Sequence, residues 1–184
     1  MIMIIDKNKI SFRKAKTDDI RILVENRIIF LKEIQGIPSQ ELDYHLRRSL
    51  KHYLLETMIN ETFISWIAEY ETVAVGFSGM VIRKQAGNFH VPNGKTGYIL
   101  NMYTVKEFRR LGIGTILFEK LIEEARQKKL DKIELHASQD GEPIYRRFGF
   151  KDPVNKALEM PLYNPFVALK QIKPDCNATL TYSF

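Results

Sequence analysis

The sequence predicts an α+β fold, and three observations along the chain favour it. Two segments with the spacing of helices come early, an unbroken series of strand-like segments follows, and one helix between two further strands comes late. Strands that follow one another directly usually form antiparallel hairpins, whereas a helix between two strands indicates a parallel crossover. We therefore expect a mixed, mostly antiparallel sheet with one late βαβ unit rather than a doubly wound fold.

The first third of the chain is predicted to contain one strand and two helices. Residues 10–15 alternate between apolar and polar side chains, as a half-buried strand does. Apolar residues at helical spacing then run from 20 to 34, and Gly36 is typical of a helix end. Ser39 is a suitable N-cap for a second amphipathic helix, whose apolar stripe covers 42–54.

The middle third is rich in residues that favour strands. Residues 62–70 and 73–83 are separated by a two-residue turn, so we expect an antiparallel hairpin. Gly, Pro and Asn residues between 84 and 97 indicate a loop. The next predicted strand, 98–105, is apolar on both faces near its middle, which is typical of a central strand.

The last third is expected to alternate helices and strands. The patterns predict a helix over 112–129, a strand over 131–137, a short helix near 142–147 and a last strand over 157–163. The 184 residues fit one domain with a proper core. We therefore expect a single domain over 1–163, and the weakly patterned residues 164–184 are expected to be a C-terminal extension of the same domain.

Composition and charge narrow the classes of partner. The formal net charge of +6 favours anionic partners only weakly, and no nucleic-acid-binding module is recognisable, so we expect no nucleic-acid partner. The apolar runs are far shorter than the roughly 20 residues that span a bilayer, so we expect no membrane partner.

The single cysteine, Cys176, cannot form an internal disulfide, and a cytoplasmic protein is the simplest expectation. The four histidines lack metal-ligand spacing, so we expect no metal.

The segment "FRRLGIGTILF", residues 108–118, joins two arginines to two glycines at the start of a predicted helix. A Walker loop requires GxxxxGK[ST], which this sequence does not contain. A Rossmann turn requires a third glycine where Leu117 stands, and it follows its strand directly, whereas here the strand ends several residues earlier. The remaining pattern is Arg-x-x-Gly-x-Gly. Its glycines let backbone N–H groups approach an anion, and the helix N-terminus and arginines add positive charge, which suits a pyrophosphate without a metal.

At this point the sequence resembles the GCN5-related N-acetyltransferases, the GNAT superfamily. The matching stretches are "ILNMYTVKEFRRLGIGTILFEKLIEEA" (99–125), "IELHASQDGEPIYRRFGF" (133–150) and "ALEMPLY" (157–163). The order of elements also agrees, so the resemblance covers about residues 10–163. It implies a GNAT-like central mixed, mostly antiparallel sheet that is flanked by helices on both faces.

The resemblance implies a site for acetyl-CoA and roles for particular residues. The backbone amides of the glycine loop would bind the pyrophosphate, and the strand before it would pair with the pantetheine arm while one of its N–H groups polarises the thioester carbonyl. After the later strand, side chains often contact the cofactor in this family, although here they equally suit a helix cap. These three groups are Arg109, Arg110, Leu111, Gly112, Ile113, Gly114 and Thr115 in the loop; Met102, Tyr103, Thr104 and Val105 in the strand; and Ser138, Gln139 and Asp140 in the later segment.

The catalytic residues are only partly specified. Tyr145 matches the family position that often protonates the departing CoA thiolate, and the alternative is an aromatic anchor of the short helix. Asn101, at the centre of its strand, is a candidate to hold a water molecule or the substrate, or else to pack. The general base stays open, with candidates Glu69, Glu134 and His136 on predicted strands.

We therefore expect an acetyl-CoA-dependent N-acetyltransferase in which a primary amine attacks the thioester directly. The alternative is a non-catalytic acyl-CoA-binding sensor or partner module, which shares the loop but lacks a working base. The acceptor, a small-molecule amine or a protein amine, stays open, with Glu33, Glu41 and Asp43 as candidates to receive a cationic amine. Homodimerisation through the C-terminal tail is also left open.

Overall fold

The computed structural model describes residues 5–38, 43–139 and 141–153. Single 3₁₀ turns precede the first strand, the first helix and the third helix. The regular elements, in chain order, are β1 (Ile10–Lys14), α1 (Ile20–Gln35), α2 (Tyr44–Ile59), β2 (Phe63–Tyr70), β3 (Val73–Lys84), β4 (Lys95–Thr104), α3 (Ile113–Gln127), β5 (Lys132–Glu134) and α4 (Glu142–Arg147).

These elements agree in type and order with the sequence prediction, and the main differences lie at strand ends. β4 begins at Lys95 rather than at residue 98, because the end of the predicted loop pairs with β3 at Lys84↔Lys95. β5 ends at Glu134 rather than at residue 137, since its pairing with β4 stops there. The predicted cap Ser39, the strand 157–163 and the extension 164–184 lie outside the described residues.

The sheet follows the chain, in the order β1-β2-β3-β4-β5. The first three pairings are antiparallel, and only β4 and β5 are parallel. The helix between these two strands is α3, so this is the predicted late βαβ unit. The fold is therefore α+β with a mixed, mostly antiparallel sheet, as the sequence predicted.

Helices cover both faces of this sheet. Successive strand residues point to opposite faces, and β2 shows this at two neighbouring positions. Ile67 packs in a cluster with residues of α1 and α2, whereas Ala68 packs with Ile113 and Leu117 of α3. An added Cβ at Gly76 of β3 would lie 2.7 Å from Cγ2 of Ile113, so α3 lies very close to the sheet. The predicted helical layer on each face is confirmed.

The chain divides into two compact units after Tyr145. The first unit contains the five strands and the three long helices. In the second, residues 146–153 are described: Arg146 forms an ion pair with Asp152 at 2.6 Å, and Gly149 turns the backbone at φ +90°. The predicted division at residue 163 lies outside the described residues and stays a prediction. Within the described part of the chain, no helix is long and apolar enough to cross a bilayer.

Candidate functional site

The two parallel strands separate soon after they meet. β4 pairs with β5 only from Thr96↔Lys132 to Tyr98↔Glu134. β4 then continues to Thr104 along β3, beyond the end of β5. Among the described residues, the later half of β4 therefore has no strand partner on the β5 side. Its outer backbone groups are available to an extended ligand in the way that sheet edges accept peptides.

A β-bulge interrupts β4 in this half. Gly79 lies opposite Leu100 and Phe77 opposite Tyr103, so two residues of β4, Asn101 and Met102, share one position of β3. Asn101 has φ +60°, in the left-handed region that asparagine tolerates better than most residues with a Cβ. The bulge redirects the backbone at the point where β4 has left β5.

Arg27 of α1 holds the bulge residue. Its Nη1 donates a hydrogen bond of 2.6 Å to Oδ1 of Asn101, whose residue is only 8% exposed. Because a guanidinium only donates, the atom that faces it is the amide oxygen, and the amide nitrogen of Asn101 points elsewhere. Burial lowers the pKa of Arg27, which nevertheless stays a cation at neutral pH. A half-buried positive charge thus lies next to the bulge.

The glycine loop leads from β4 into α3 with two residues in left-handed conformations. Arg110 has φ +63° and Gly112, which precedes the helix, has φ +89°. No side chain of the described residues caps α3, so the N–H groups of its first turn have no intrahelical or side-chain acceptor. A Cβ added at Gly112 or at Gly114 would meet nothing within 4 Å, so open space lies beside these backbone groups. We call residues 109–115 the α3 cradle, and its donors fit an anion.

The two arginines of the α3 cradle differ. Arg109 donates from Nε to the carbonyl of Thr104 at 2.9 Å and from Nη2 to Glu33 at 2.6 Å. Its side chain therefore ties the end of β4 to α1. Arg110 is exposed and forms no hydrogen bond or ion pair with a described side chain, so it is the arginine available to a ligand.

Tyr145 lies in the first unit on α4 and is buried, with its ring 5.1 Å from that of Phe118. Burial raises the pKa of this phenol, so it keeps its proton at neutral pH. The Oγ of Ser138 accepts the N–H of Gly141 at 3.3 Å, and its carbonyl accepts the N–H groups of Gly141 and Glu142, so this residue holds the turn that leads into α4. Gln139 is exposed, and Asp140 lies outside the described residues.

The three candidate bases all have partners. Glu69 lies on β2 and pairs with Arg13 at 2.8 Å. Glu134 pairs with Lys132 at 2.6 Å. His136 lies beyond the end of β5, where its Nδ1 is 2.6 Å from Oη of Tyr98. Of the three, only His136 lies at the separation of β4 and β5 without an ionic partner among the described residues.

Residues that the sequence reasoning missed include Arg27, Tyr98 and Arg83. Little in the sequence indicated that these residues are functional, since arginine in an amphipathic helix and tyrosine in a strand are common. Asn101 was the better indication, because asparagine is depleted in strands. Among the described residues, no group of three His, Cys, Asp or Glu side chains could hold a metal ion.

Comparison with known families identifies the class. Residues 30–150 match the family model of the acetyltransferase (GNAT) family. That match covers more than half of the chain and includes β4, the α3 cradle and Tyr145. The chain therefore belongs to the GNAT acetyltransferase family, whose members are acyltransferases. No curated protein matches the chain significantly.

Solved structures agree with this assignment. A predicted acetyltransferase from Clostridium acetobutylicum, solved with acetyl-CoA, is 31% identical with a TM-score of 0.75, over 83% of this chain and 96% of that one. A GCN5-related N-acetyltransferase from Ralstonia eutropha is 21% identical, with a TM-score of 0.70 over 82% and 98%. Glucosamine-6-phosphate N-acetyltransferase from Arabidopsis thaliana is 20% identical, with a TM-score of 0.60 over 84% and 97%. The last two similarities concern the fold alone.

The backbone conformation of Asn101 gives a stability prediction. Asn101→Gly and Asn101→Ala both remove the acceptor of Arg27, but only alanine has to hold a Cβ at φ +60°. We expect the alanine variant to have the lower free energy of unfolding, by about 1 kcal/mol, in urea titrations. Asn26, within α1, is the control: there the order should reverse, because glycine is the poorer residue in a helix. Equal stability of the two Asn101 variants would contradict the strained bulge.

Proposed function

We propose that this protein transfers the acetyl group of acetyl-CoA to a primary amine, which attacks the thioester directly. The observation that carries the proposal is the α3 cradle, which opens beside the unpaired later half of β4. A pyrophosphate fits the α3 cradle, and an extended pantetheine arm fits the unpaired half of β4. The similar Clostridium acetobutylicum structure, solved with acetyl-CoA, supports this choice of cosubstrate.

In this proposal the backbone supplies most of the binding. The N–H groups of Ile113, Gly114 and Thr115 donate to the pyrophosphate, and Arg110 adds charge. Residues 102–104 pair with the pantetheine arm. The N–H of Val105 already donates to the carbonyl of Val75 at 2.9 Å, so an earlier residue of β4 polarises the thioester carbonyl. The Oγ of Ser138 already accepts the N–H of Gly141, so Ser138 is given no main role in binding.

In the chemical step the departing CoA thiolate gains a proton and the attacking amine loses one. The amine nitrogen forms a bond to the acetyl carbon, and the carbon–sulfur bond breaks. Tyr145 gives its proton to the departing thiolate, a role that suits a buried phenol which is fully protonated at neutral pH. The amide nitrogen of Asn101, which Arg27 leaves unused, positions the acceptor or a water molecule. His136, paired with Tyr98, is the proposed route by which the amine loses its proton.

The acceptor is proposed to be a small-molecule or protein amine. Glucosamine-6-phosphate N-acetyltransferase and an aminoglycoside acetyltransferase from a soil metagenome are among the structures that share the fold. Glu33 and Asp43, the candidates to receive a cationic amine, are already paired, Glu33 with Arg109 and Asp43 with Lys32. Glu41 lies outside the described residues. We propose no nucleic-acid or membrane partner.

One observation favours the alternative of a non-catalytic acyl-CoA sensor. Glu69 and Glu134, two of the three candidate bases, are neutralised by ion pairs. Calorimetry with acetyl-CoA and an unbiased amine screen that detects thiol release separate the possibilities. Binding with acceptor-dependent thiol release supports the transferase. Binding without transfer to any amine supports the sensor, and absence of CoA binding at millimolar concentration contradicts both.

Gly114→Ala tests the α3 cradle. Its Cβ would enter open space, and alanine favours the helix, so the melting temperature should stay the same or rise. If a pyrophosphate occupies that space, the same Cβ obstructs it, and we expect the Kd for acetyl-CoA to rise by about tenfold or more, which is about 1.4 kcal/mol. Glu119→Ala, at an exposed position of the same helix, should leave the Kd unchanged. Unchanged affinity in Gly114→Ala would place the cosubstrate elsewhere.

Tyr145→Phe tests the proton donor. The variant keeps the ring against Phe118 but loses the phenolic proton. We expect kcat to fall by about 100-fold, since general acids contribute roughly 10²–10⁴ to rates, with little change in the Kd for acetyl-CoA. Tyr44→Phe, on an exposed tyrosine, is the matched control and should keep full activity. An unchanged kcat in Tyr145→Phe would remove this residue from the mechanism.

A further inference from the structure

Two arginines and two tyrosines lie together on the α1/α2 face of the sheet, and we call them the arginine cluster: Arg27, Tyr53, Arg83 and Tyr98. The Cζ of Arg83 lies 3.9 Å above the ring centroid of Tyr98. Burial raises the pKa of Tyr53, while the positive charges of Arg83 and Arg27 oppose that rise. The positive charge of Arg27 is in turn favoured by Tyr98 and Tyr53.

Neither arginine forms an ion pair with a described carboxylate. Arg27 donates to the neutral amide of Asn101, and Arg83 stacks on Tyr98. Several acids of this half of the molecule are paired with other cations. These pairs are Glu25 with Arg47, Asp43 with Lys32, Glu33 with Arg109, and Glu134 with Lys132. Arg83 is exposed and Arg27 is half-buried, so neither positive charge is held by a described carboxylate and an anionic ligand can bind them.

The arginine cluster also borders the proposed reaction site. Tyr98 is the last residue of β4 that pairs with β5, so Arg83 stacks where the two strands separate. Arg27 contacts Asn101, the bulge residue a few positions further along β4. The exposed side of the cluster consists of Arg83 and Tyr53, the latter 38% exposed, so a ligand can reach it from solvent.

We propose that the acceptor amine carries an anionic group, a carboxylate or a phosphate, which the guanidinium groups of Arg83 and Arg27 bind. This inference rests on the proposed function, because it makes the arginine cluster part of the acceptor site. Stacking on Tyr98 occupies only the face of the Arg83 guanidinium and leaves its N–H groups free at the edges, where they match the oxygens of a carboxylate or phosphate. The hydroxyl of Tyr53 adds a neutral donor.

The first arm of the test compares acceptors that share one skeleton. Ethanolamine, serine and O-phosphoethanolamine present the same aminoethanol unit without an anion, with a carboxylate and with a phosphate. We expect kcat/KM for one or both anionic amines to exceed that of ethanolamine by at least about tenfold, the effect of one charge-assisted hydrogen bond. Faster use of serine indicates a preference for a carboxylate, and faster use of O-phosphoethanolamine indicates a preference for a phosphate. Equal use of all three would overturn the proposal.

Arg83→Gln identifies the residue responsible. It removes the exposed charge without disturbing the bond between Arg27 and Asn101, and it should abolish the preference for the anionic amine mainly through KM. Lys84→Gln removes the neighbouring charge, on the opposite side of the strand, and should keep the preference. Arg83→Glu should make ethanolamine the better acceptor. A preference that survives in Arg83→Gln would contradict the assignment.

The second arm requires no acetyl transfer. Inorganic phosphate is titrated calorimetrically into the full chain, with acetyl-CoA present to occupy the α3 cradle. We expect phosphate to bind still, and to bind at least about tenfold more weakly in Arg83→Gln but not in Lys84→Gln. If phosphate binds in this way but no amine is acetylated, the anion site is supported and the transferase proposal fails. If transfer occurs but phosphate binding is lost with acetyl-CoA or is unaffected by Arg83→Gln, the anion proposal fails alone.

Discussion

The structure depends on the early separation of its two parallel strands. β4 and β5 pair over three positions and then diverge, although β4 continues for six more residues. A continuous pairing would satisfy the backbone of β4 and leave no edge for a ligand. Among the residues that the structure describes, separation leaves that edge without a strand partner. It also places the N-terminus of α3 at the far end of the edge, because α3 is the crossover helix of the same βαβ unit. The separation of β4 and β5 thus produces both the shape of the sheet and the proposed cosubstrate site.

The bulge at Asn101 places a positive charge beside this edge of β4. A left-handed residue in a strand is costly unless the surroundings hold it, and here Arg27 does so through a charge-assisted hydrogen bond. That same bond brings a half-buried cation next to the point where the thioester is proposed to react. Arg83, stacked on Tyr98, adds a second cation nearby. Neither of these two arginines forms an ion pair with a described carboxylate, and the proposed acceptor side takes its positive charge from them.

Local patterns made most of the fold predictable. The alternation of β1, the strand-favouring residues of β2, the apolar stripe of α1 and the glycines before α3 each depend on neighbouring residues, so a single sequence contains them. Contacts between distant residues were not predictable in this way. Arg27 and Asn101 are 74 positions apart, and Tyr98 and His136 are 38 apart. Only the folded chain, with α1 packed on the sheet, brings them together. This is why the acceptor side and the general base stayed open, whereas the glycine loop could be proposed from local sequence.

The central claim is that the separated edge of β4 and the α3 cradle together bind acetyl-CoA. A crystal structure of the full chain with acetyl-CoA tests it most directly. The account predicts pyrophosphate oxygens within hydrogen-bond distance of the N–H groups of residues 113–115, and a pantetheine arm alongside residues 102–104. A cosubstrate bound elsewhere, or a β5 that pairs along the whole of β4 and closes the gap, would contradict it.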